Sequence, residues 1–343
     1  MSKISISEVL SSLNVESIQG IDQIPKDSHI KFGYHIAEDE NYSEASRALG
    51  ELLSKLPVNN SSVAYRKRHS YFDFFRPHLK SNYFLRLDIK SFFHSISKSS
   101  IEQTIKTHLR GSKELEKYIL AKKLSEFLTI KLDKVDILPI GFPASPRVAN
   151  LVFRPLDIQI EKLCLDSEII YSRYSDDLLF SSVNDKTINS SWFENQISYF
   201  ISQLNMNLNN SKRIKTKDQI SLNGYVISGS ERNKYLSFSN ERLKLIRKLV
   251  YLKKLKKLSD LSIMRKLFYY EIPNLQVKLK YRNKNDFIKI YAESQIENKL
   301  KGFRSYLLSL VNYGNRYECV HIDHRKMLIN LIEELNALIL KYN

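Results

Sequence analysis

Two β-rich runs, EIIYSRY at 168–174 and DLLFSSV at 177–183, meet at Ser175-Asp176, which sets the adjacent carboxylates Asp176 and Asp177 at the tip of a tight hairpin. A third run, YFLRLDI at 83–89, alternates Tyr83, Leu85, Leu87 and Ile89 against Phe84, Arg86 and Asp88, so it reads as a strand with Asp88 near its end. Clustered like charges repel and lose hydration. A fold that gathers them normally holds a cation to offset them, and hard oxygen ligands point to Mg²⁺ or Mn²⁺. Taken singly, Asp176 and Asp177 read as turn formers and Asp88 as a solvated strand end.

The remaining chain frames these carboxylates with packed elements. Helical spacing of apolar residues marks 43–56, 113–132 and about 190–206. LNGYVIS (222–228) and KYLSFS (234–239) read as a strand pair turned by Gly229, Ser230 and Asn233. Helices follow at 240–258, capped by Ser239 or Asn240, and at about 285–311 and 322–341. With 343 residues and 43% apolar composition, two or three subdomains are expected; 9 Gly and 8 Pro leave no flexible linker between them.

The charge of +17, from 54 Lys and Arg against 37 Asp and Glu, points to a polyanionic partner. Nucleic acid fits better than membrane, because no apolar run approaches the roughly 20 residues of a spanning helix. Lys253, Lys254, Lys256 and Lys257, with KLKYRNK at 278–284 and Tyr251, Tyr269, Tyr270 and Tyr281 interleaved, suit a nucleic-acid backbone with occasional base stacking. The amino terminus lacks the order of a secretory signal, and the two cysteines, Cys164 and Cys319, stand alone, so a reduced intracellular setting is expected.

Four stretches occur in order: RLDIKSFFHSI (86–96), PIGFPASPRVANLVFRPLD (139–157), YSRYSDDLLFS (171–181) and LNGYVIS (222–228). They resemble the consecutive palm motifs of reverse transcriptases, with Tyr174-Ser175-Asp176-Asp177 as the Tyr-X-Asp-Asp element and the second stretch similar to Gly-X-Pro-X-Ser-Pro-X-X-Ala-Asn. The resemblance covers roughly residues 63–310 and is nearest to retron and related defence-associated bacterial enzymes; KGFRSYLLSLVN (301–312) is similar to a retron thumb segment. It implies an α+β right-hand polymerase fold. N-terminal helices and fingers would occupy 1–80, an antiparallel palm sheet with inserted fingers helices 81–238, and a helical thumb with C-terminal helices 239–343.

The resemblance also implies roles. Asp88 and Asp176 bridge two Mg²⁺ ions, or Mn²⁺, while Asp177 supports them and the Ile89 carbonyl completes one coordination shell. Such ion pairs activate a 3′-hydroxyl and stabilise a leaving pyrophosphate. Lys212 matches a lysine that protonates pyrophosphate, and Phe93 an aromatic gate against the ribose 2′-hydroxyl. AYRKRHS (64–70) offers Arg66, Lys67 and Arg68 to the triphosphate, without a choice among them. Gly141, Phe142, Pro143 and Ser145 pack beside nucleotide and template, Asn150 braces the helix that follows, and Leu222, Asn223, Gly224 and Tyr225 form a primer grip. The implied partners are a non-coding RNA template, the DNA product, deoxynucleoside triphosphates, and a companion defence protein or a second copy of the chain, in the bacterial cytoplasm.

The chain departs from the pattern at three places. Ile140 stands where many relatives have Gln, Leu222-Asn223-Gly224 replaces a retron Val-Thr-Gly, and no usual first motif is present between residues 20 and 60. With only apolar contact from Ile140, a restricted product, made on one dedicated RNA or with weak templating, is expected. A template-independent or protein-primed polymerase is the nearest alternative. A catalytically inactive RNA-binding scaffold is the rival from another class; it predicts loss of a metal carboxylate, and all three are retained.

Overall fold

The strand that carries Asp88 joins a four-stranded antiparallel sheet, as its alternation requires. The computed structural model describes residues 3–31, 33–111, 113–230, 233–271 and 284–340, in two units, 1–217 and 218–343. The first unit runs β1 (Ile4–Ser5), α1 (Ile6–Ser12), β2 (Ser28–Lys31), β3 (Tyr34–Ala37), α2 (Glu40–Leu53), α3 (Tyr71–Phe75) and β4 (Tyr83–Asp88). It continues with α4 (Lys98–His108), β5 (Leu109–Arg110), α5 (Glu114–Leu128), β6 (Ile130–Leu132), β7 (Val135–Ile137) and α6 (Ser145–Asp166). β8 (Ile170–Tyr174), β9 (Asp177–Ser182), α7 (Ser191–Ser202) and β10 (Ile214–Lys217) complete it.

The sheet order is β10-β4-β9-β8, and its register decides which residues share a face. Leu85 lies opposite Phe180 and Leu87 opposite Leu178; these four join one core with Phe153, Leu156 and Ile160 of α6 and Phe193 and Ile197 of α7. On the other face Phe84 pairs with Ser181, Arg86 with Leu179 and Asp88 with Asp177. The segment 71–80 covers part of that face. His78 is fully buried there, with Nδ1 2.6 Å from the Ser181 hydroxyl and Nε2 2.8 Å from that of Ser172.

The second unit contains a sheet of β11 (Ile220–Leu222), β12 (Tyr225–Ser230) and β13 (Asn233–Phe238), then α8 (Asn240–Leu255), α9 (Asp260–Leu267), α10 (Lys284–Tyr317) and α11 (Ile322–Ile339). Ser239 caps α8 by accepting the Arg242 N–H, as its sequence predicts. Among the described residues no helix is long and apolar enough to cross a membrane.

Two expected elements are divided by tight turns. The helix read over 113–132 ends at Leu128, where Thr129 turns extended, and the remaining residues form a hairpin in which Asp133 and Lys134, at left-handed φ of 48° and 70°, fold Ile130–Leu132 back on Val135–Ile137. LNGYVIS is likewise two strands, with Asn223 and Gly224 at φ 52° and 87° between Leu222 and its partner Tyr225. Consecutive positive φ values match the twist of a two-residue hairpin, and Asn-Gly adopts them at little cost. β10 and α9 were not anticipated from periodicity.

Burial pushes the His78 imidazole down to about 3 from its ordinary value of 6.5, so the folded protein holds it neutral. The unfolded chain binds a proton near pH 6.5 and the native state does not, so this contribution is complete above pH 6.5 and is lost as pH falls toward 3. Urea unfolding should show stability falling by up to about 1.4 kcal/mol per pH unit in that window, and His78→Gln should flatten the dependence. An identical slope in both proteins contradicts the assignment.

Candidate active site

The hairpin between β8 and β9 has a two-residue loop, Ser175-Asp176, closed by the pair Tyr174 and Asp177. Ser175 takes φ 60°, which the primed turns of short hairpins require at that place. The register then sets Asp177 directly across from Asp88 on β4. The Ile89 N–H donates to the Asp176 carbonyl at 3.0 Å, and the Asp88 carbonyl accepts from Asn209 at 2.7 Å, so backbone bonds fix all three acidic positions.

Arg86, two residues before Asp88 on the same strand face, reaches between the carboxylates. Its Nε donates to Asp177 at 2.8 Å and its Nη2 to Asp88 at 3.1 Å, with a second bond from Nη2 to Asp177. Its Nη1 donates to the Lys212 carbonyl at 2.6 Å, and the Lys212 ammonium lies 3.3 Å from Asp88. Burial, followed by the charge of Asp88, pushes the Asp176 carboxyl above the usual range. Burial pushes Asp177 up as well, although Arg86 pulls the other way. Among the described residues no three acidic, His or Cys side chains converge on one point as metal ligands. The donor chemistry nevertheless suits a hard cation: the carboxylates offer oxygen only, Asp88 and Asp177 are buried with the Arg86 guanidinium between them, and Asp176 is half-buried at the adjoining tip.

The reverse transcriptase (RNA-dependent DNA polymerase) family model matches residues 41–238, more than half of the chain. The chain belongs to that family. It is 30% identical over 140 residues to the retron Ec86 reverse transcriptase of Escherichia coli, covering 41% of each chain. It is 26% identical over 210 residues to the retron Ec83 enzyme of the same organism, covering 60% of this chain and 66% of that one. With the retron Ec73 enzyme, also of Escherichia coli, the figures are 33% over 139 residues, 39% and 44%. These matches span less than two thirds of each relative. A solved telomerase from Candida albicans is similar at a TM-score of 0.41 and 13% identity, over 86% of this chain and 54% of that one.

Within the reverse-transcriptase domain, Phe93 is buried, with its ring 6.2 Å from Tyr65 and 5.5 Å from Phe92. Arg66 is engaged by its own loop, donating to the carbonyls of Ser62 at 3.0 Å and Asn59 at 3.3 Å. With Lys67, His69 and Arg147 it also lines a cavity of about 340 Å³. Lys67 lies 4.0 Å from Glu51, and Arg68 is exposed at φ 64°. Gly141, at φ 113°, accepts no side chain, because a Cβ there would collide with the His35 carbonyl. His35 donates its N–H to Ile140 at 2.7 Å, so β3 seats directly on this loop. Pro143 follows, and the buried Ser145 hydroxyl has no hydrogen-bond partner among the described residues. Asn150 braces not its own helix but the segment before Tyr65, accepting from Ser62 at 3.1 Å and donating to Ala64 at 2.8 Å.

In the second unit, Tyr225 packs 5.5 Å from Phe238 and 5.2 Å from Tyr306, and Leu222 is buried beside the Asn223-Gly224 turn. The four lysines differ from one another. Lys253 pairs with Asp260 at 2.6 Å and Lys254 with Glu334 at 2.9 Å, whereas Lys256 and Lys257 are exposed just past α8. Tyr251, Tyr269 and Tyr270 are exposed; Tyr281 and most of 278–284 lie outside the described residues.

Arg86→Gln is expected to lower the unfolding free energy by about 3 kcal/mol in metal-free buffer at pH 7, because it leaves neighbouring buried carboxylates uncompensated. A buried carboxyl with a raised folded pKa takes its proton earlier in the fold than in the unfolded chain. Acid therefore favours the native state at Asp176 and Asp177, and the deficit of the variant should narrow from pH 7 to 4. Urea titrations of both proteins measure this; a deficit that widens in acid refutes the role given to Arg86.

Proposed function

We propose that this chain is an RNA-directed DNA polymerase that extends a primer with deoxynucleotides along a dedicated non-coding RNA, in bacterial antiviral defence. The observation that carries the reading is the cross-strand pairing of Asp88 with Asp177, with Asp176 at the adjoining tip, inside a domain of the reverse transcriptase family. Retron enzymes among the relatives support the dedicated RNA and the defence role. The net charge of +17 supports a nucleic-acid partner.

Divalent cations held by Asp88, Asp176 and Asp177, with the Ile89 carbonyl, would supply Lewis-acid activation of the attacking hydroxyl and charge neutralisation at the leaving pyrophosphate. Around them the protein side chains divide the remaining tasks. Lys212, with its ammonium 3.3 Å from Asp88, supplies a proton to the leaving group. Phe93 presents a rigid, packed ring to the sugar, since its neighbours Tyr65 and Phe92 leave it little freedom. Arg66, Lys67 and Arg68 face the triphosphate, Gly141 and Pro143 bound the base, and Ser145 offers its hydroxyl, which has no partner among the described residues, nearby. Residues 222–225 grip the primer, and Lys253, Lys254, Lys256 and Lys257 follow the duplex backbone. Lys253 and Lys254, already engaged by Asp260 and Glu334, contribute less than Lys256 and Lys257.

Purified protein supplied with a primed RNA and labelled deoxynucleotides should make DNA in Mg²⁺ or Mn²⁺. Asp176→Asn, which keeps side-chain size and removes ligand charge, should reduce the rate by at least about 100-fold with an unchanged circular dichroism spectrum. Incorporation by Asp176→Asn at the normal rate rules out the metal assignment, and no incorporation by the unaltered protein on any primed RNA rules out the activity.

A further inference from the structure

Ser175, the variable residue of the Tyr-X-Asp-Asp element, is held at its carbonyl and at its hydroxyl. Its carbonyl accepts from Arg173 Nη1 at 2.9 Å, and its hydroxyl accepts from the Tyr65 hydroxyl at 3.0 Å. Arg173 is fully buried. Its Nε and Nη2 bind the two oxygens of the equally buried Asp157 at 2.8 and 2.7 Å, and its guanidinium lies 4.5 Å from the centre of the Phe153 ring. The carbonyl side of the turn is therefore fixed.

The hydroxyl side leads to the sugar gate. The Tyr65 ring stands edge-on to Phe93 at 6.2 Å, so one side chain touches both the hairpin with Asp176 and the ring assigned to the sugar. Tyr65 is delivered there by backbone bonds: Arg173 N–H donates to Ser61 at 2.7 Å, and Val63 N–H donates to Arg173 at 2.8 Å. Asn150 holds the Ala64 carbonyl from α6 at 2.8 Å. Tyr65 itself takes φ 63°, a left-handed backbone that a bulky residue adopts only when its surroundings impose it. Burial pushes its hydroxyl above the ordinary range, which favours the protonated form that donates to Ser175.

We propose that Tyr65 is a positioning residue whose hydrogen bond to Ser175 sets the spacing between the Asp176 hairpin and Phe93, and so couples the rate of incorporation to sugar selection. The inference rests on the polymerase reading above. Its physical content is that the catalytic turn and the gate share one support. When the hydroxyl is removed, the turn loses a constraint next to Asp176, and the ring behind Phe93 loses its anchor.

The test compares the unaltered protein, Tyr65→Phe, Ser175→Ala and the double variant. Each single change should lower kcat for deoxynucleotides by about three- to tenfold, the worth of one hydrogen bond, with KM changed less than about twofold. Relative use of ribonucleotides should rise about three- to tenfold in both, and the double variant should be no worse than either single, because both remove the same bond. Additive losses, or unchanged sugar preference in both single variants, overturn the coupling. Amide hydrogen exchange at 174–178 is measured on the same four proteins. Protection should fall equally in both single variants and no further in the double; unaltered protection overturns the inference even if the unaltered protein makes no DNA, a result that by itself would sink only the polymerase reading.

Discussion

Asp88 and Asp177 face each other across neighbouring strands, and like charges in that relation destabilise a sheet. Much of the first unit can be understood as the arrangement that makes the pairing tolerable. The opposite face of the same strands carries Leu85, Leu87, Leu178 and Phe180 into the core with α6 and α7. A slip of one residue would turn the carboxylates into that core and the leucines out of it, so the apolar face fixes the register on which the acidic face depends. Arg86 then supplies an internal cation between the two carboxylates, and the Lys212 ammonium adds a second positive charge beside Asp88.

A second buried pair, Arg173 and Asp157, sits beneath the hairpin. A pair taken wholly out of water contributes little net stability against an apolar replacement of the same shape. What it does provide is direction: Arg173 grips the Ser175 carbonyl, Asp157 grips Arg173, and Tyr171 adds its hydroxyl to Asp157 at 2.8 Å. The turn that carries Asp176 is thereby tied to α6 and to the segment 61–65, which leads directly into Arg66, Lys67 and Arg68, the residues assigned to the triphosphate.

The strand ending at Asp88 and the hairpin at Ser175-Asp176 were legible because period-two alternation and turn chemistry are local signals. Local signals failed where a turn was read through. Asn223-Gly224 interrupts what passes for one strand, and the extended Thr129 with the hairpin turned at Asp133-Lys134 replaces the last turn of what passes for one long helix, although apolar residues continue through both. Arg86 was within reach of sequence reasoning, since residues two apart on a strand share a face. Its role depended on knowing that Asp177 lies opposite Asp88, which only pairing reveals. Arg173 and Tyr65 were not legible: an arginine is ordinarily exposed, and the partners that bury it come from separate segments of the chain.

The proposed function requires that this sheet face gather its carboxylates for cations, with Arg86 as the internal counter-charge. Diffraction from crystals soaked in Mn²⁺, recorded at the manganese absorption edge, tests it most directly. Anomalous density in contact with Asp88 and Asp176, with the Arg86 guanidinium turned away from Asp88, is the expected result. Crystals that show no such density, with Arg86 still bridging Asp88 and Asp177, would contradict it.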